Sequence, residues 1–197
     1  MLRILIASLV VTLMLLPVPA AGPASAFDGR PTPVQPAETY STDELVSAGH
    51  EFFGQTSSGL AAALSELFAQ FGLPNGYVLG EEASGAIFGG LRYGEGALQV
   101  VGAAPQPVFW QGPSVGWDFG GSGSRVMMLV YNLRTEQDLM QRFTGVDGSA
   151  YLVGGVSMTV MAGNQTFIVP VRTGVGARLG VSLGYLKFTP EPTWNPF

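Results

Sequence analysis

Val126-Met127-Met128-Leu129-Val130-Tyr131 is an unbroken apolar run, set between Arg125 and Asn132. A strand with one wet face alternates apolar and polar residues, whereas a strand covered on both faces can be apolar throughout. Arg125–Tyr131 is therefore expected at the centre of a sheet, with strands of the same sheet before and after it. The stretch leading into it, Val108 to Ser124, is rich in glycine and holds Trp110 and Trp117.

Around this run the residue pattern has a period of two from Tyr77 onward. Candidate strands are Tyr77–Leu79, Ala86–Tyr93, Ala97–Gly102, Pro107–Gln111, Val115–Gly120, Arg125–Asn132, Ala150–Val153, Ser157–Met161, Thr166–Arg172 and Gly176–Phe188. Glycine, proline, asparagine and serine punctuate them at short intervals, the pattern of antiparallel sandwiches and barrels. In the last candidate, Ala177, Leu179, Val181, Leu183 and Tyr185 alternate with Gly176, Arg178, Gly180, Ser182 and Gly184. A nearly bare face lets a strand bend sharply, or lets backbone or a ring approach closely, as coiling around a small barrel requires. The expected fold is mainly β with flanking α-helices (α+β), a small glycine-rich antiparallel barrel of about 8–10 strands.

Helical periodicity precedes the strands. Ser41 with Glu44 three residues later matches a capping box, and Leu45, Val46, Phe52 and Phe53 follow at helical spacing. Leu60, Leu64, Leu67, Phe68 and Phe71 form a second stripe that Gly72 closes, before a turn at Leu73-Pro74-Asn75-Gly76. The stripes are expected to pack on the sheet, a partner surface being the rival use. One short inserted helix is expected after the apolar run, capped by Thr135, with Leu139, Met140 and Phe143 on its apolar side, Arg142 at its negative end and Gly145 closing it.

The N-terminus reads as an export address. Arg3 is the positive end, Ile4 to Leu16 the apolar core, and Ala24-Ser25-Ala26 the cleavage site, so the mature chain is expected to begin at Phe27. The core is shorter than the ~20 residues that span a bilayer. Residues 1–26 are thus a signal peptide, 27–40 a proline-rich linker, and 41–197 a single domain. The chain has no cysteine, which removes disulfides, thiolate chemistry and a lipidated N-terminus. A core from roughly 150 ordered residues is large enough to stand without them. The net charge is −5 and Lys187 is the only lysine, a poor match to nucleic acid or to anionic membranes. The prolines at 190, 192 and 196 and the amphipathic helices argue against a membrane barrel, despite the terminal Phe197.

Catalytic motifs are sparse. Gly112-Pro113-Ser114-Val115-Gly116 and Gly180-Val181-Ser182-Leu183-Gly184 match G-x-S-x-G, but both run into strand-like sequence. The only histidine, His50, lies upstream, whereas a nucleophile elbow needs a strand-turn-helix and a base. Gly120-Gly121-Ser122-Gly123-Ser124 lacks the lysine of a phosphate loop, and Gly174 to Gly180 misses the dinucleotide spacing. No metal site or cofactor is expected. Asp118 with Asp147, or Glu81 with Glu95, are the carboxylate pairs that a cell-wall hydrolase would need; a solvated face is the plainer account. Trp110, Trp117, Phe119 and Tyr131 with Arg125 are placed to line a pocket for an apolar or glycan ligand, or simply to fill a core. Arg172 and Arg178 would stand at its polar mouth.

Several segments resemble the EipA (envelope integrity protein A) family of Gram-negative bacteria. They are Phe109 to Pro113, Gly116 to Gly121, Ser124 to Leu133, Gly145 to Gly155, Gly174 to Pro190 and Pro192 to Phe197. The proline–aromatic segment, glycine-rich turn and apolar strand ending at Asn132 are also faintly similar to the SYLF lipid-binding domain. The resemblance implies a small periplasmic β-barrel that helps maintain the cell envelope without catalysis or cofactor. The resulting expectation is a non-catalytic interaction or scaffold module, its partner a cell-envelope protein. The alternative is a binder of lipid or another apolar envelope component, with a peptidoglycan-acting hydrolase third. An integral membrane protein is not expected.

Overall fold

Two helices come first. In α1 (Thr42–Phe53) the Ser41 hydroxyl accepts from the Glu44 N–H at 3.3 Å, and the Glu44 carboxylate accepts from the Ser41 N–H at 2.8 Å, closing the capping box. Helix α2 (Leu60–Phe71) ends at Gly72, whose φ of +75° suits glycine. Eight strands follow: β1 (Gly76–Gly85), β2 (Gly90–Val100), β3 (Gln106–Ser114), β4 (Ser124–Tyr131), β5 (Arg142–Val153), β6 (Val156–Ala162), β7 (Phe167–Thr173) and β8 (Tyr185–Thr189). A 3₁₀ turn, Glu136–Leu139, lies between β4 and β5. This structure, a computed structural model, describes residues 38–54, 59–85, 90–114, 124–173 and 184–195, all within the unit Pro36–Phe197. The expected signal peptide, most of the expected linker, and the 115–123 and 174–183 stretches with Trp117, Asp118, Phe119 and Arg178 lie outside the described residues.

The strands close into an antiparallel barrel in the order β1-β2-β3-β8-β5-β6-β7-β4, with β4 pairing back onto β1. The apolar run occupies β4, between β1 and β7. Its residues divide by parity. Val126, Met128 and Val130 join the lumen with Val78, Leu98, Trp110, Phe143, Ile168 and Phe188. Met127, Leu129 and Tyr131 join a second core with Leu45, Leu60, Leu64, Leu67, Val169 and Val171. One face of β4 fills the cylinder and the other is roofed by the helices, which is why the run does not alternate. The helical stripes are spent on this contact. Leu133 and Leu139 belong to the lumen core at the end away from the β1–β2 connection. There the Asn75 side chain accepts from the Leu133 N–H at 3.1 Å and donates to its carbonyl at 2.5 Å.

Four elements differ from the sequence expectation. The strand expected at Tyr77–Leu79 runs on to Gly85 as β1. The Gly94-Glu95-Gly96 segment was expected to separate two strands, yet it lies inside β2. Gly94 and Gly96 pair with Trp110 and Val108 on one side and with Glu82 and Gly80 on the other. A Cβ at Gly94 would fall within the Trp110 indole, and one at Gly80 would stand 2.6 Å from the same ring. Gly80 and Gly94 make room for a side chain rather than a bend, and Gly96 lets the β1 backbone come close. The inserted helix is a single 3₁₀ turn, because Phe143 enters the lumen from β5 and Gly145 continues that strand. At the start of that turn the Asp138 carboxylate accepts from the Thr135 N–H at 3.0 Å. Ala150–Val153 is the second half of β5, beyond a register shift between Gly145 and Ala150. It turns into β6 through Gly154-Gly155, both at positive φ.

Gly94→Ala should therefore destabilise by about 1–3 kcal/mol, the cost of overpacking a filled core. Urea unfolding followed by tryptophan emission checks this; an unchanged midpoint would show that the indole does not lie against the strand.

Candidate functional site

The lumen is apolar except near one end. On β1, residues 78, 80 and 82 share the inward face, so Glu82 points into the barrel. Arg92 of β2 and Arg172 of β7 stand at the same end. Arg172 Nε lies 2.7 Å from Glu82 Oε1 and its Nη2 lies 3.1 Å from Oε2, a two-pronged pair. Arg92 Nε is 3.9 Å away, and Trp110 Nε1 donates to Glu82 Oε2 at 3.4 Å. Glu82 is 6% exposed. Burial pushes its carboxyl up, but the charges of Arg172 and Arg92 and the hydrogen bonds from Arg172 and Trp110 hold it below its ordinary value. The remainder of the lumen is filled by the barrel's own side chains, with Trp110, Phe143 and Phe188 fully buried. The rings of Trp110 and Phe188 sit 5.8 Å apart.

The outer wall carries different chemistry. A hollow of about 350 Å³ opens over β1, β2 and β3, between Glu81, Tyr93, Glu95, Phe109, Gln111 and Trp194 of the C-terminal tail, and it reaches Glu82, Gly94 and Trp110 at its floor. Glu81 and Glu95 are register partners on adjacent strands. The tail is fastened by Tyr93, whose hydroxyl donates to the Trp194 carbonyl at 3.2 Å and whose ring meets the indole edge-on at 5.2 Å. Trp194 nevertheless stays 85% exposed. Gln111 is 1% exposed, and its Nε2 has no hydrogen-bond partner among the described residues.

The residues singled out from sequence do not share one pocket. Trp110 is inside the lumen and Tyr131 outside it, stacked on Phe167 at 4.5 Å beneath the helical side. Burial pushes the Tyr131 phenol up. Arg125 is on the outer wall, donating to the Phe52 carbonyl at 2.7 Å near the end of α1 and lying 3.6 Å from Glu81. Arg172 belongs to the buried pair. Trp117 and Arg178 fall outside the described residues, as do Asp118 and the Asp147 side chain. Of the two carboxylate pairs weighed, Glu81 with Glu95 is brought together, and its Glu81 side chain is 63% exposed. Glu82 and Arg92 were missed, although a signal existed. Both Glu82 and Arg172 occupy the apolar phase of their strands, after Val78 and Ile168. Among the described residues no cluster of His, Cys, Asp and Glu could hold a metal ion, and no helix is long and apolar enough to cross a membrane.

These features define a small, closed antiparallel β-barrel with a helical flank. The chain belongs to the EipA family, Envelope integrity protein A, which it matches over residues 38–197. It is also similar to the crystal structure of a β-barrel-like, uncharacterised protein from Brucella abortus. That likeness has 59% identity and a TM-score of 0.75, and covers 81% of this chain and 99% of the other. No curated protein matches it.

Glu82→Gln should destabilise by about 3–5 kcal/mol at neutral pH, because the Arg172 guanidinium that Glu82 pairs with at the lumen end loses its counter-charge. A carboxyl held low in the folded state stabilises fully above its ordinary 4.5, and that stabilisation is lost as pH falls through the folded value. Thermal melts from pH 7 to pH 3 should thus decline less steeply for Glu82→Gln than for the wild type. Replacing Glu82 and Arg172 together by leucine should recover much of the loss. Parallel pH profiles would overturn this role for the pair.

Proposed function

We propose that the protein is exported to the periplasm, is cleaved after Ala26, and maintains envelope integrity there as a non-catalytic interaction module. The carrying observation is the division of labour across the barrel wall. The lumen is occupied by Trp110, Phe143 and Phe188 and closed with a buried ion pair, whereas the outer hollow has aromatic and polar groups facing a ligand-sized space. A filled lumen leaves little volume for a lipid chain, so recognition is assigned to the wall of β1–β3 and the tail over it. Catalysis by Glu81 and Glu95 is disfavoured by their exposure, since general acids rely on surroundings that exclude water. Family membership supports the envelope role.

Deleting the gene should sensitise cells to detergents and cell-wall antibiotics, and the full chain should restore resistance. A chain carrying Trp194→Ala with Gln111→Leu should restore it poorly. Trp194 is exposed and Gln111 lacks a partner, so neither change should unfold the barrel. Full restoration would remove the hollow from the function. Peptidoglycan incubated with the purified protein should release no fragments; soluble muropeptides would overturn the non-catalytic assignment.

A further inference from the structure

We propose that the aromatic groove between the C-terminal tail and the β1–β2 wall docks an extended, arginine-bearing segment of a basic partner protein. This rests on reading the β1–β3 wall as the working surface. Tyr93, Phe109 and Trp194 give the groove its apolar sides, and the Trp194 indole is largely uncovered. Among the described residues that line it are three carboxylates, Glu81, Glu82 and Glu95, and no lysine or arginine. Arg172 neutralises Glu82 from the lumen, so the charge at the rim is that of Glu81 and Glu95. These two are register partners, and like charges facing each other across a ladder repel. Arg125 offsets Glu81 from the β4 side at 3.6 Å. Glu95 is exposed and makes no ion pair among the described residues. A cation entering the groove would meet both carboxylates and the rings at once.

A second acidic station lies along the same strand. Tyr77 shares the outer face of β1 with Glu81, and burial followed by the charges of Glu44 and Glu51 on α1 pushes its phenol up. Glu44 is engaged in the capping box, which leaves the exposed Glu51 to meet a partner. Tyr77 and Glu81 stand about 13 Å apart at the rise of a strand, and an extended segment with cations at i and i+4 presents both on one face at that spacing. Arginine suits the groove better than lysine, because a planar guanidinium stacks on a ring while its N–H donors reach separate carboxylates. Beyond β3 the acidic strip ends, since Lys187 of β8 and Arg142 of β5 are register partners there. The closed barrel offers no strand edge for added pairing, so the segment is read through its side chains. Other occupants fit less well. A phosphate or carboxylate meets like charge, and a lipid chain would strip water from the carboxylates without replacing it. A neutral sugar leaves the Glu81–Glu95 repulsion in place.

The test uses the mature full chain, with tryptophan emission and ¹H–¹⁵N spectra as readouts. The probes are end-blocked pentapeptides: Arg-Ser-Thr-Ser-Arg, its glutamate counterpart, and Arg-Arg-Ser-Thr-Ser, in which the cations are adjacent. Maltotetraose is the neutral control. Arg-Ser-Thr-Ser-Arg is expected to bind saturably, shift the Trp194 indole signal, weaken as salt rises and outcompete the others. Glu95→Gln and Trp194→Ala should each weaken it by about two- to fivefold, with unchanged melting. Glu51→Gln should cost as much for the spaced peptide and nothing for the adjacent one. Absence of binding, preference for the glutamate peptide or maltotetraose, equal binding of the two arginine peptides, a silent Glu51→Gln, or full affinity in both groove variants would each overturn the assignment. If the peptide fails while the Trp194→Ala, Gln111→Leu chain still fails to protect cells, the basic partner falls and the working surface stands. If that chain protects cells fully, the surface itself falls.

Discussion

The indole of Trp110 has to lie flat inside a narrow cylinder, and the barrel is arranged to let it. A small eight-stranded barrel has an interior only wide enough for side chains to fill it. Gly80 on β1 and Gly94 on β2 face the ring, and a Cβ at either position would collide with it. With the indole seated, Phe188 packs beside it and Nε1 is left pointing at Glu82. The carboxylate is thereby held for Arg172, which joins β7 to β1 through the lumen, although β4 separates those strands in the sheet. One close fit thus couples three strands through packing and charge.

That packing also bears on where recognition can occur. The lumen is occupied, and the outer surfaces of β4, β6 and β7 are roofed by the apolar sides of α1 and α2. The wall of β1–β3 is left for polar and aromatic chemistry, and the tail folds over it, fastened by Tyr93. Glu81 and Glu82 illustrate the division. Adjacent in sequence, they face opposite sides of one strand, so one is solvated beside Arg125 and the other buried against Arg172. The pleat of a strand is enough to give neighbouring carboxylates different environments.

Period and composition made much of the architecture readable. The unbroken β4 run required two covered faces, and it has them. The Ser41–Glu44 box, the α2 stripe and the Gly72 cap formed as their chemistry demands. The misreadings were of glycine. Gly94 and Gly96 looked like punctuation because glycine relaxes the backbone in a turn, but at Gly94 it yields space to a ring and at Gly96 to the backbone of β1. Gly145 looked like a helix end for the same reason, and it lies within β5. Glu82 escaped notice as a lumen residue because the expected strand, Tyr77–Leu79, stopped short of it, whereas β1 runs on to Gly85. Its opposite charge lies ninety residues further on.

Local sequence alone determined both helices and the positions of most strands, that β4 is buried twice, and that no thiol supports the fold. Those properties depend on spacing between near neighbours and on which atoms the side chains carry. Only the closed barrel decided which side of each strand became lumen, that Trp110 and Tyr131 lie on opposite sides of the wall, and that Gln111 was left without a partner beside Trp194. Those relations depend on contacts between residues far apart in the chain, and strand order and closure set them.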